Sequence, residues 1–115
     1  MDYCVLLTSN LDNRYLNNVN LLKSYLVNVG IPFDEIEASK PANRKLRDAL
    51  IQVALDHGGR VEFPLLFIMR SNRNIQFVGN WDRIQDILDA ESIPDNLLKQ
   101  APEVNTFYRY FRNML

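Results

Sequence analysis

One cysteine and one histidine carry most of the nucleophilic and metal-binding potential of this 115-residue chain. Cys4 alone cannot close an internal disulfide, and with His57 it supplies too few ligands for a zinc site. A reactive thiolate needs helix N–H groups or a nearby cation to lower its pKa. Cys4 instead lies inside an apolar run, Tyr3 to Thr8, where desolvation raises the pKa and the residue serves as a small core hydrophobe. Dithiol chemistry is excluded, and monothiol chemistry has no support from these surroundings. The chain contains no glycine-rich phosphate loop, no metal-ligand cluster and no nucleophile–His–acid set, so no metal and no catalytic residue are expected. Three local patterns remain that could bind a ligand. Ser9 follows the apolar run at what reads as a helix start, Pro64 follows Phe63 inside a second apolar run, and Gly79-Asn80-Trp81-Asp82 forms a turn before another helical pattern.

The elements that must position these residues follow from periodicity. Tyr3 to Thr8 reads as a strand buried on both faces. Ser9 and Asp12 have the spacing of a weak capping box, and Leu11, Tyr15, Val19, Leu22, Leu26 and Val29 make one helical stripe. Gly30 closes that helix at a position that favours a left-handed cap. Phe33 to Ala38 alternates loosely, as a more exposed strand does. Ser39 and Pro41 start a second helix with Leu46, Ala49, Leu50 and Val53 as its core stripe, and His57-Gly58-Gly59 ends it. His57 complements that helix end, and Arg44, Lys45, Arg47 and Asp48 form a solvated face. Val61 to Met69 is an apolar strand, Ser71 to Asn74 has turn chemistry, and Ile75 to Val78 returns as its hairpin partner. Asp82, three before Gln85, caps a helix carrying Ile84, Ile87 and Leu88. The order strand–helix–strand–helix–strand–strand–helix predicts an α/β domain with a four-stranded mixed sheet and helices on both faces. This is the element order of a thioredoxin fold.

Composition narrows the partners. Apolar residues make up 47% and charged residues 23%, with a formal net charge of -1, which argues against a nucleic-acid face or an anionic-membrane surface. No apolar run approaches the length of a membrane span and no signal pattern opens the chain, so a reducing cytoplasm is the expected compartment. Residues 1–92 form the expected domain. Residues 93–115 form a helical extension whose Phe107, Tyr108, Phe111, Met114 and Leu115 share one face. That stripe either packs on its own domain or docks on another protein or a second copy.

Phe63-Pro64, Gly79-Asn80-Trp81-Asp82 and the segment Gly30-Ile31-Pro32-Phe33-Asp34-Glu35 resemble the glutaredoxins. More closely they resemble the glutaredoxin-like Src-homology-3-binding glutamic-acid-rich protein family, over roughly residues 3 to 90. Asn43-Arg44-Lys45 with Arg47-Asp48 is similar to that family's second helix. The resemblance implies a glutaredoxin-like thioredoxin fold, with Thr8-Ser9-Asn10 where glutaredoxins carry C-x-x-C. It implies a cis bond before Pro64, with the N–H and C=O of Phe63 facing outward to pair with a peptide or with glutathione. It also implies that the Gly79-Asn80-Trp81-Asp82 turn faces the glutamyl end of glutathione. The family's proline-rich stretch and acidic tail are absent, so Src-homology-3 binding does not carry over.

Ser9 either caps its helix or, as in some glutathione transferases of this fold, steadies a bound thiolate. Asp82 is a helix cap or a ligand group. Trp81, replacing a small residue in the turn, is expected to take up the free space beside Asn80, filling a gap or stacking on a partner. The expected function is a non-catalytic protein-binding adaptor without a cofactor, and the alternative is a weak glutathione-binding or transferase-like protein using Ser9. The expected binding frame is Ser9, Asn10, Phe63, Pro64, Gly79, Asn80, Trp81 and Asp82, with Phe107, Tyr108 and Phe111 available for partner docking.

Overall fold

A computed structural model describes residues 2–9, 13–91, 93–102 and 106–111. The first strand, β1 (Tyr3–Thr8), has consecutive apolar side chains, so alternate residues go to opposite faces and both faces must be covered. Cys4 and Leu6 enter one core and Val5 and Leu7 the other. This strand lies inside the sheet. It pairs in parallel with β2 (Phe33–Glu37) and antiparallel with β3 (Leu65–Met69), and β3 pairs antiparallel with β4 (Ile75–Gly79). The spatial order is β2-β1-β3-β4.

Helices cover both faces. On the first, α1 (Leu16–Asn28) contributes Leu22 and Leu26, and α3 (Trp81–Ala90) contributes Ile84 and Ile87. On the second, α2 (Arg44–Asp56) contributes Leu50 and Ala54. Both α1 and α2 stop in the same way. Gly30 (φ +77°) lets the Ile31 N–H reach Leu26 O at 2.9 Å, and Gly58 (φ +80°) lets the Gly59 N–H reach Ala54 O at 2.7 Å. Each is a left-handed glycine cap that satisfies an orphan carbonyl. His57 adds its Nδ1, 2.8 Å from Val53 O in the same terminus.

Several boundaries differ from the sequence reading, each for a local reason. The first helix opens with a single 3-10 turn, Asn13–Tyr15, and α1 follows it, so Ser9 lies several residues before the helix rather than at its cap. Leu11 and Asp12 lie outside the described residues. On α2 the stripe is shifted, since Leu46 is 38% exposed and the core positions are Leu50 and Ala54. Strand β3 begins at Leu65, not Val61, because Pro64 has no N–H to give to a ladder and Asn80 holds the carbonyls of Arg60 and Glu62. Val29, at the α1 terminus, is exposed.

The extension beyond α3 returns to the domain. After α4 (Asp95–Leu98), the short α5 (Phe107–Phe111) inserts Phe107 and Phe111 into the α1/α3 core at 1% and 0% exposure. The Phe107 ring lies 4.9 Å from Tyr25 and 5.9 Å from Phe111, and the Phe107 N–H donates to Glu91 Oε1 at 2.7 Å. The expected docking role of Phe107 and Phe111 is therefore corrected: both are core residues, and neither is offered to a partner. The side chain of Tyr108 falls outside the described residues. Phe111→Ala should destabilise the protein by about 3–5 kcal/mol, as large-to-small changes at buried aromatics do. Urea unfolding measures it, and an unchanged midpoint would show that the tail is not part of the core.

Candidate functional site

The β1/β3 register brings the candidate residues to one end of the sheet. Leu7 stands opposite Leu65, so the residues that follow β1, starting with Ser9, and those that precede β3, Phe63 and Pro64, lie at the same end of the sheet, and Leu66 stands opposite Gly79 at the end of β4. The Phe63–Pro64 peptide bond is cis. Among the described residues, no hydrogen bond reaches the N–H or C=O of Phe63. Its ring packs partly on the α2-side core and meets the Tyr15 ring edge-on at 5.7 Å. The Arg14 guanidinium lies 5.4 Å from the Tyr15 centroid. Ser9 is half-buried, and Asn10 lies outside the described residues.

Asn80 organises the neighbouring loop. It is buried, and its side chain works as a substitute peptide group: Oδ1 accepts from the Arg60 N–H at 2.8 Å, while Nδ2 donates to Arg60 O at 2.7 Å and to Glu62 O at 2.9 Å. The same residue is the N-cap of α3 by its backbone, with the Ile84 N–H donating to Asn80 O at 2.9 Å. Asp82, expected as the cap, is instead in the first turn of the helix. Its exposed carboxylate takes Arg60 at 2.5 Å, and Arg60 also stands 3.5 Å from Glu62. Exposed pairs of this kind contribute little stability, so their role is to hold the loop's direction.

An open groove of about 330 Å³ lies beside this clamp, with Phe77, Gly59 and Gly79 in its walls and His57, Arg60 and Arg83 around it. The glycines matter here for space. A Cβ on Gly59 would come within 2.7 Å of the Phe77 ring, and one on Gly79 within 2.7 Å of Arg83 Cβ. Trp81 does not enter this groove, which corrects the expectation that its indole takes up the space beside Asn80. As the first residue of α3, Trp81 shares a helical stripe with Gln85 and Leu88, which turn toward α1. There it borders a second concavity of about 490 Å³, with Leu21 and Tyr25 on the opposite wall.

Cys4 is far from all of this. It is fully buried in β1, between Phe33 and Ile68 of the neighbouring strands, and burial pushes its thiol up to about 12, with the Asp34 charge adding to the effect. Five strand positions separate it from Ser9, about 16 Å at the usual rise per residue. Burial also pushes the Tyr25 hydroxyl up to about 12, helped by the Glu91 carboxylate beside it. Among the described residues, no three His, Cys, Asp or Glu side chains come together as metal ligands, and no helix is long and apolar enough to cross a membrane.

The sequence reading missed Tyr15, Arg60 and Arg83. Tyr15 has the spacing of a core stripe, and only the 3-10 turn swings it onto Phe63. The two arginines have no motif of their own, and Asn80 and Gly79 bring them to the groove. Comparison of the chain with protein-family models, with curated proteins and with solved structures returns no match.

This end of the sheet brings together a Phe63 backbone with no hydrogen-bond partner among the described residues, a hydroxyl at Ser9, and guanidinium groups beside α3. Two outcomes are expected. Asn80→Ala removes a donor–acceptor set that satisfies three buried or half-buried backbone groups, and should cost about 2 kcal/mol or more in urea unfolding. An unaltered midpoint would show that the loop holds itself. Cys4 should resist iodoacetamide at pH 8 in the folded protein and react once unfolded. Its folded pKa lies above the ordinary value near 9, so its contribution to stability is full below pH 9 and is lost as pH rises toward about 12. Rapid native-state alkylation would contradict its burial.

Proposed function

We propose that this chain is a non-catalytic thioredoxin-fold module that binds an extended protein segment at the Ser9/Phe63 end of its sheet. The strand order β2-β1-β3-β4, with a parallel β1/β2 pair, two antiparallel pairs and helices on both faces, supports the fold reading. One observation carries the function. After β1, where glutaredoxin-like proteins hold their thiol, this chain has Ser9, at the same end of the sheet as a Phe63 backbone that has no hydrogen-bond partner among the described residues, and its only cysteine is deep in the core. A segment lying along Phe63 would gain main-chain hydrogen bonds there, with Tyr15 and the Phe63 ring as flanking contacts. A cytoplasmic adaptor of the glutaredoxin-like class is the reading that follows, with no thiol step in its cycle.

A second reading, weak glutathione binding with Ser9 near the ligand's thiol, is favoured by one feature. The groove beside Gly79 is open and carries Arg60 and Arg83, which suit a carboxylate.

Partner capture by the wild-type chain should survive Cys4→Ser and fail with Ser9→Arg, which blocks the cleft at a half-buried position. Retained capture by a folded Ser9→Arg protein would sink the cleft proposal. Backbone NMR with millimolar glutathione separates the two readings. Saturating shifts confined to Ser9, Phe63 and Asp82 favour the second, and silence removes it.

A further inference from the structure

Four of the chain's 13 lysines and arginines fall between Lys40 and Arg47, and no acidic residue falls among them. They occupy the exit from β2, a 3-10 turn (Pro41–Asn43), and the first turn of α2. Arg47 is paired with Asp48 at 2.9 Å. Lys40, Arg44 and Lys45 are exposed, and among the described residues none of their side chains has an ion pair or a hydrogen bond. By contrast, Lys23, Arg60 and Arg70 face Glu35, Asp82 and Asp2. The carboxylates closest in sequence are engaged, Asp48 by Arg47 and Glu37 by the Ser39 N–H at 3.0 Å.

This placement runs against ordinary helix electrostatics. Cations are unfavourable in the first turn, where the dipole is positive, and α2 has no acidic residue there to offset them. The contacts that fix the helix start use other groups. Asn43 Nδ2 donates to Glu37 O at 2.9 Å, Arg47 Nη1 donates to Ala38 O at 3.3 Å, and the Ala38 N–H donates to Thr8 O at 2.7 Å. These bonds tie the cationic turn to the residue before Ser9. In the order β2-β1-β3, the turn after β2 and Phe63 before β3 are two strand spacings apart, about 10 Å. About three residues of extended chain cover that distance.

We infer that the segment bound at the Ser9/Phe63 end is acidic where it runs toward α2, its aspartates or glutamates meeting Lys40, Arg44 and Lys45. These acids stand about three residues from the part that pairs with Phe63. The occupant is a stretch of protein rather than nucleic acid. Three free cations on a chain of net charge -1 match a few carboxylates, not the continuous charge of a phosphate backbone. The inference rests on the cleft function proposed above and adds the chemistry of its partner.

The probe is a synthetic peptide of roughly ten residues, about 30 Å when extended, with alternating threonines and valines at one end and glutamates at the other. It is made in both orders, beside counterparts with serine for glutamate. Titrated into the full chain at low salt and followed by backbone NMR, a glutamate peptide should shift Arg44 and Lys45 together with Phe63, and saturate. The serine peptide should bind roughly fivefold more weakly, as the loss of two exposed ion pairs gives. Salt at about 1 M should erase the difference.

Arg44→Glu combined with Lys45→Glu puts acids where the dipole favours them, so the thermal midpoint should hold while the preference for glutamate disappears. Equal binding of glutamate and serine peptides, or an unchanged preference in the double variant, would overturn the inference and leave the cleft reading intact. Glutamate-dependent shifts at Arg44 and Lys45 with Phe63 silent would support the acidic contact and overturn the cleft reading. No saturable shift with any of the peptides would overturn both. Tighter saturable binding of a single-stranded oligonucleotide at Lys40, Arg44 and Lys45 would also overturn the inference, because the occupant would then be nucleic acid.

Discussion

Two-faced burial of β1 is the constraint from which the architecture follows. A strand whose successive side chains are Cys4, Val5, Leu6 and Leu7 exposes apolar surface in both directions, and each direction needs its own cover. Burial of each such side chain contributes about 1.5–3 kcal/mol relative to exposure, so leaving either face bare would cost several kcal/mol. The chain answers with α1 and α3 on one side and α2 on the other. A parallel neighbour at β2 requires a crossover helix, and α1 supplies both the connection and the cover. An antiparallel neighbour at β3 then sets the register that brings Ser9, Phe63 and Gly79 to one end.

That end is held by polar contacts as well as by the packing of Phe63. The loop from His57 to Pro64 leaves α2 through a left-handed glycine and would otherwise have few constraints. Asn80 replaces the missing ladder by bonding to Arg60 and Glu62 through one side chain, while its own carbonyl starts α3. The direction of α3, the opening of the groove at Gly79 and the approach to Pro64 therefore share one anchoring residue. Asn80 commits both of its Nδ2 hydrogens to the loop, so its side chain has no donor left to offer a ligand. The donors that remain around the groove are the guanidinium groups of Arg60 and Arg83.

The features legible in the sequence were those set by local rules. The core strand Tyr3–Thr8, the glycine terminations at Gly30 and Gly58, the hairpin and the apolar stripe of α3 depend on residues close together in the chain. What was illegible depended on partners far away. A capping-box spacing at Ser9 could not reveal that the helix begins at a 3-10 turn from Asn13. An apolar strand from Val61 could not reveal that Asn80, roughly twenty positions on, would capture its first carbonyls. Trp81 in a turn motif suggested a filled cleft, but its position as the first helical residue decides its direction, and a shift of one residue turns a helical side chain by about 100°. The spacing of the aromatic tail left packing on its own domain and docking on a partner both open, and it is the contact of Phe107 with Tyr25 and the burial of Phe111 that make these two rings part of the core.

Among the described residues the four-stranded sheet has two unpaired borders, at β2 and at β4, and the β2 border is guarded. Strand β2 reads Phe33-Asp34-Glu35-Ile36-Glu37, with Asp34 and Glu35 exposed. A second β2 approaching this border would meet the exposed Asp34 carboxylate and a Glu35 already committed to Lys23, and bringing like-charged strands together opposes strand-to-strand growth there. Acidic residues that contribute little to the fold thus act as insulation, keeping one border of the sheet from serving as a template for copies of itself.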